Sequence, residues 1–125
     1  METELLECRR ELTRIFLHEL FHFAWTRLGN KLRRSYEEML CAEIEEGARG
    51  EFGWSAEQLK QDLTLADAAS RTRQWRDYAS ESFCDTAAWF FGSHRSHPEF
   101  TLARAPRKRR GRWFEEMMVP RGIAL

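Results

Sequence analysis

From Thr3 to Leu28 the chain contains neither glycine nor proline. So long a stretch without a helix breaker is predicted to form one α-helix over residues 3–28. Apolar residues recur along it at Leu5, Leu12, Ile15, Phe16, Phe23 and Trp25, at helical spacing. Between Ile15 and Trp25 they run nearly all round, which predicts a helix buried on every side. Three polar side chains interrupt that segment: His18, Glu19 and His22. Burying them without partners is costly, so something must satisfy them.

The remaining chain supports a small helical protein. Its 125 residues make one domain with its own core. Seven glycines and three prolines, clustered in a few places, favour helices over a turn-dense β fold. Aromatic residues make up 13% of the chain, which predicts an aromatic-rich core. Twenty basic residues balance twenty acidic ones, so global charge gives no argument for nucleic acid or an acidic membrane. Cys8, Cys41 and Cys84 form neither a disulfide framework nor a CxxC metal site, and a reducing cytoplasm is the expected location. The start, METELLECRR, carries no apolar signal-peptide core. The longest apolar run, Ala87–Phe91, is far too short to span a membrane.

Further along, Gly29-Asn30 reads as a C-cap. Ser35-Tyr36-Glu37-Glu38 reads as a capping box opening a helix to about Glu46. Gly47, Gly50 and Gly53 mark residues 47–54 as a loop, and Ser55-Ala56-Glu57-Gln58 opens a short helix to about Leu63. Thr64-Leu65-Ala66-Asp67 caps a long helix predicted to run to Phe91 and stop at Gly92. Ser93–Pro98 is a polar loop. Residues 107–112 form a basic cluster, and Arg112–Met118 a last short helix.

The chemistry concentrates in His18-Glu19-Leu20-Phe21-His22, an HExxH pattern. Residues four apart share a helix face, so His18 and His22 can direct their imidazoles at one metal ion. Glu19 lies about 100° round the helix, where it reaches a metal-bound water but ligates poorly. A third ligand is then needed, and an open fourth position would acidify a bound water. Downstream, Glu81 and Asp85 stand four apart among Tyr78, Phe83, Ala87, Trp89, Phe90 and Phe91. Two carboxylates in apolar surroundings need a positive charge beside them. Zinc ligated by Glu81, with Asp85 accepting from a ligand histidine's other ring nitrogen, would satisfy both. His₂Glu ligation favours zinc among divalent metals.

HExxH followed by Glu81-xxx-Asp85 resembles the gluzincin metallopeptidases, including the small soluble minigluzincins. The resemblance covers residues 12–28 and 75–91. It implies His18, His22 and Glu81 as Zn2+ ligands, Glu19 as general base and Asp85 as the aspartate behind a ligand histidine, more readily His18. It also implies a compact zincin-like helical domain cleaving peptide bonds of a peptide or protein substrate. Zincins usually set a small sheet beside the active-site helix. Here that sheet is either lost or reduced to short strands in 47–54 and 99–104.

Several alternatives stay open. His94 and His97 are rival third ligands, on the three-histidine pattern of SprT-like proteases. Tyr36, Tyr78, His94 and His97 are candidates to stabilise an oxyanion. Cys84, between Glu81 and Asp85, reads better as a small core residue than as a ligand. The zinc could equally belong to a non-catalytic domain with a structural or regulatory role. The 107–112 cluster could touch nucleic acid, though a solvated charged segment is the commoner case.

Overall fold

The computed structural model describes residues 2–92 and 96–121, and within them the fold is entirely helical. The first helix, α1, spans Glu2–Arg27. Then come α2 (Asn30–Glu45), α3 (Trp54–Gln61), α4 (Leu65–Ser70), α5 (Arg73–Phe91) and α6 (Arg104–Met117), with a final turn over Val119–Arg121. No strand occurs among the described residues, as the scarcity of turn residues predicts. None of these helices is long and apolar enough to cross a membrane.

Several boundaries differ from the sequence reading. Gly29 does not cap α1; it precedes α2 in an extended conformation, and α2 starts five residues before the Ser35 box. Ser35 instead accepts a hydrogen bond from the Trp113 indole. Gly53, rather than Ser55, stands at the start of α3. The Thr64–Asp67 capping box does form. The helix it opens, however, breaks at Arg71, a non-glycine residue at φ 47°. Arg71 is held there by a two-pronged pairing with Glu37 at 2.9 Å on each prong, and Thr72 then caps α5. The last helix begins eight residues earlier than predicted, with Pro106 in its first turn, where a missing N–H is tolerated.

The core lies between α1, α2, α5 and α6 and is aromatic, as expected. Phe83 sits at its centre, stacked on Phe114 at 5.3 Å and edge-on to Tyr36 at 5.5 Å. Phe21 and Trp25 bring α1 onto the same cluster. The expectation that α1 is buried on every side between Ile15 and Trp25 fails, because Ile15, Phe16 and Phe23 face solvent. The helix packs along α5 by one face only, through Phe21 and Ala24.

A second feature escaped the sequence reading. Arg110, inside the basic cluster, is fully buried. Its guanidinium donates to both oxygens of Glu43 (3.0 and 2.7 Å) and both of Glu51 (2.8 and 2.8 Å), and to Thr86 Oγ1 (3.1 Å). Tyr78 also donates to Glu51, and Lys60 approaches it at 3.3 Å. Arg107 donates to the carbonyls of Phe100 and Leu102, and Arg109 pairs with Glu46. Much of the 107–112 cluster is thus a fastener of the fold; Lys108 and Arg112 are its exposed members.

The segments 47–54 and 99–104 do meet. Thr101 and Leu102 donate backbone hydrogen bonds to the Glu51 carbonyl, and Ala103 to that of Arg49, but no ladder forms. Gly50, at φ +89°, makes the approach possible, since a Cβ there would overlap the Thr101 carbonyl.

Candidate metal centre

Helix periodicity sets His18 and His22 on the α1 face turned to α5, where Glu81 and Asp85 stand one turn apart. The His18 and His22 Nε2 atoms are 3.0 Å apart. Glu81 lies beside both, 3.2 Å from His18 Nε2 and 3.6 Å from His22 Nε2. His18 Nδ1 donates to Asp85 Oδ1 at 2.6 Å. The four residues paired on sequence grounds therefore share one constellation. Asp85 sits behind His18, as expected.

Burial is graded across the group. Asp85 is only 4% exposed, whereas the His22 side chain is 35% exposed. His22 and Glu81 open onto a cavity of about 600 Å³ lined also by Ser55, Asp62, Asp77 and Ser80. A smaller recess of about 210 Å³ lies on the His18 side, walled by Glu19, Arg14, Gly53, Ser55 and Asp85. Glu19 is exposed there and stays outside the ligand group. Its off-axis position follows from helix geometry.

Electrostatics tie the group together. Burial disfavours the His18 imidazolium. The hydrogen bonds and charges of Asp85 and Glu81 outweigh it and raise the pKa to about 10. The His18 hydrogen bond holds Glu81 below its usual value against burial. Burial pushes Asp85 up, opposed by His18. Asp85 Oδ2 is buried with no hydrogen-bond partner. It rests against Gly53, where a Cβ would collide with the carboxylate. Gly53 is therefore part of the site, which only its membership of a three-glycine loop hinted at in the sequence.

The donor spacing passes a test for metal. Bonds of ~2.0–2.1 Å in a tetrahedral site put neighbouring donor atoms about 3.3 Å apart. The two Nε2 atoms stand 3.0 Å apart and Glu81 Oε2 lies 3.2 Å from that of His18, close to this value, while the 3.6 Å approach to His22 Nε2 is made by the other carboxylate oxygen, Oε1.

The rival residues lie elsewhere. His97 Nε2 contacts Glu11 at 2.8 Å, and His97 Nδ1 accepts from the Glu99 amide. Glu11, His97 and Glu99 form a second group of metal-ligand type. Arg14 occupies it, donating to Glu11 at 2.5 Å and Glu99 at 3.1 Å; its cation already fills the role a metal would play. Tyr36 and Tyr78 are fully buried. Tyr36 is bonded to Ser82 and Thr86, and Tyr78 to Glu51, so neither can reach a substrate. Cys84 is a core residue whose thiol burial pushes upward in pKa. His94 lies outside the described residues.

Comparison with family models, characterised proteins and solved structures gives no match to this chain.

Proposed function

We propose that this protein is a zinc-dependent metallopeptidase. The observation that carries the reading is the convergence of His18 Nε2, His22 Nε2 and the Glu81 carboxylate within 3.0–3.6 Å of one another, on a group that opens into a cavity on one side. His18 Nε2, His22 Nε2 and one Glu81 oxygen would hold the ion. Bound there, it would supply Lewis acidity and a water acidified to near neutrality. Asp85 takes the His18 Nδ1 proton as a hydrogen bond and so leaves the Nε2 lone pair for ligation. Glu19, on the recess wall beside His18, accepts a proton from the attacking water and returns it to the leaving amine. The cavity beside His22 gives a peptide room to approach.

A second reading has its own observation. No strand is present among the described residues to hold an extended peptide, and segments 49–51 and 101–103 meet without forming a ladder. The same ligands would then serve a zinc-binding domain without catalysis.

The test has two stages. Metal content by mass spectrometry should give about one zinc per chain, lost in Glu81→Ala. Hydrolysis of a quenched-fluorescent peptide library should occur with wild type and vanish in Glu19→Gln, which keeps its zinc. Zinc without cleavage supports the second reading; no zinc, even when offered, overturns both.

A further inference from the structure

Helix α1 leaves an apolar face uncovered. Leu5, Leu12, Phe16 and Phe23 are 67%, 61%, 63% and 61% exposed. At 100° per residue they fall within an arc of about 40°, and 18 residues carry the stripe roughly 27 Å. Residues 4–10 are exposed at every position, so no other element among the described residues covers this end of the helix. Large contiguous exposed patches of this kind mark interaction sites.

Two charges complete the stripe. Arg9 and Glu19, both exposed, fill its gaps, giving Leu5, Arg9, Leu12, Phe16, Glu19 and Phe23. The intervals alternate four and three, the spacing of a two-helix seam. They also read the same in reverse. A second copy laid antiparallel therefore sets Leu5 against Phe23, Leu12 against Phe16 and Arg9 against Glu19, each layer twice. A parallel copy would set Arg9 against Arg9 and Glu19 against Glu19, so the charges select the antiparallel arrangement. An anionic membrane is the poorer occupant: α1 carries five glutamates against four arginines, whereas surface-binding helices are basic.

We propose that this face is the seam of an antiparallel homodimer, closed by two-fold symmetry and specified by two Arg9–Glu19 layers. Such a contact is isologous and self-limiting.

Sedimentation velocity on the full chain, from micromolar to sub-millimolar concentration, tests it. A concentration-dependent dimer is expected. Arg9→Glu and Glu19→Arg should each weaken it by at least about tenfold, because each sets like charges in two layers. An equimolar mixture of the two variants should recover a dimer, since every charged layer is then complementary. Circular dichroism should show both variants folded, as expected for exposed positions. A monomer at all concentrations, a dimer indifferent to either substitution, or no recovery in the mixture would overturn the proposal. So would binding of the monomer to anionic phosphatidylserine vesicles through Phe16 and Phe23. The readout is mass, so the dimer is tested apart from zinc content; Glu19 is the proposed base in the monomer and the partner of Arg9 in the dimer, so hydrolysis is expected of the monomer.

Discussion

Replacing Arg110 by methionine removes the one cation among the described residues that touches both Glu43 and Glu51. Methionine has comparable reach, so the change is chiefly one of charge and hydrogen bonding. Glu43 loses the guanidinium that meets both its oxygens. Glu51 keeps Tyr78 and Lys60. Both acids are fully buried, and breaking a buried ionic group by removing one partner costs about 3–5 kcal/mol. With Glu43 stranded completely, the upper half of that range is expected. For a domain of this size, that corresponds to a Tm lower by roughly 10–20 °C. The pH dependence gives a second check. Burial raises the Glu51 pKa, but Arg110 above all, then Lys60 and Tyr78, bring it down to about 2. A folded-state pKa below the unfolded value stabilises above about pH 4.5, and that contribution fades as pH falls towards 2. The gap between wild type and Arg110→Met should therefore be widest near pH 7 and shrink by pH 4, where the stranded acids can take up protons. Urea unfolding at both pH values measures it. Adding Glu43→Gln and Glu51→Gln to the variant should restore part of the loss. A penalty below about 1 kcal/mol at pH 7, or one equal at both pH values, would refute the account of Arg110 as a charge hub.

Gly53→Ala places a methyl group on the Asp85 carboxylate and must displace it from His18; zinc affinity should fall about 10- to 100-fold with little change in helix content, measured by competition with a chromophoric chelator. In the metal-free protein, His18 has its pKa raised to about 10. Its contribution to stability should be complete below about pH 6.5 and disappear as pH climbs through about 10, a trend absent once metal is bound. For the same reason, zinc uptake at pH 7 should release a proton from His18, detectable by calorimetry in buffers of different ionisation enthalpy. Glu19→Gln should abolish hydrolysis while leaving zinc content unchanged.

The convergence of His18, His22, Glu81 and Asp85 was legible because residues of ligand type leave a local trace. HExxH and the later Glu81–Asp85 pair each lie on one helix, and helix periodicity fixes which side chains share a face. What joins different segments was not legible. Glu43, Glu51 and Arg110 look like three surface charges, and nothing in their spacing shows that they converge in the interior. In the sequence Gly53 reads as loop punctuation, because its role depends on a carboxylate more than thirty positions away. The break at Arg71 is not legible because arginine rarely adopts a left-handed conformation; its fork onto Glu37 and its backbone bond to the Ala68 carbonyl accompany it there. The all-round apolar segment of α1 misleads for a related reason. Periodicity reveals an apolar face but not whether the same chain covers it.

The unequal footing of the two helices that carry the candidate ligands has a kinetic meaning. Most of α5 is buried, whereas α1 sinks only Phe21 and Ala24 completely. Elements with fewer fully buried side chains open more readily in local fluctuations, so α1 should open before α5 does. Both histidines travel with it, and both carboxylates stay behind. An ion at the centre would act as a latch between a mobile arm and a fixed wall. Amide hydrogen exchange along residues 12–27 should slow far more on metal loading than exchange in α5.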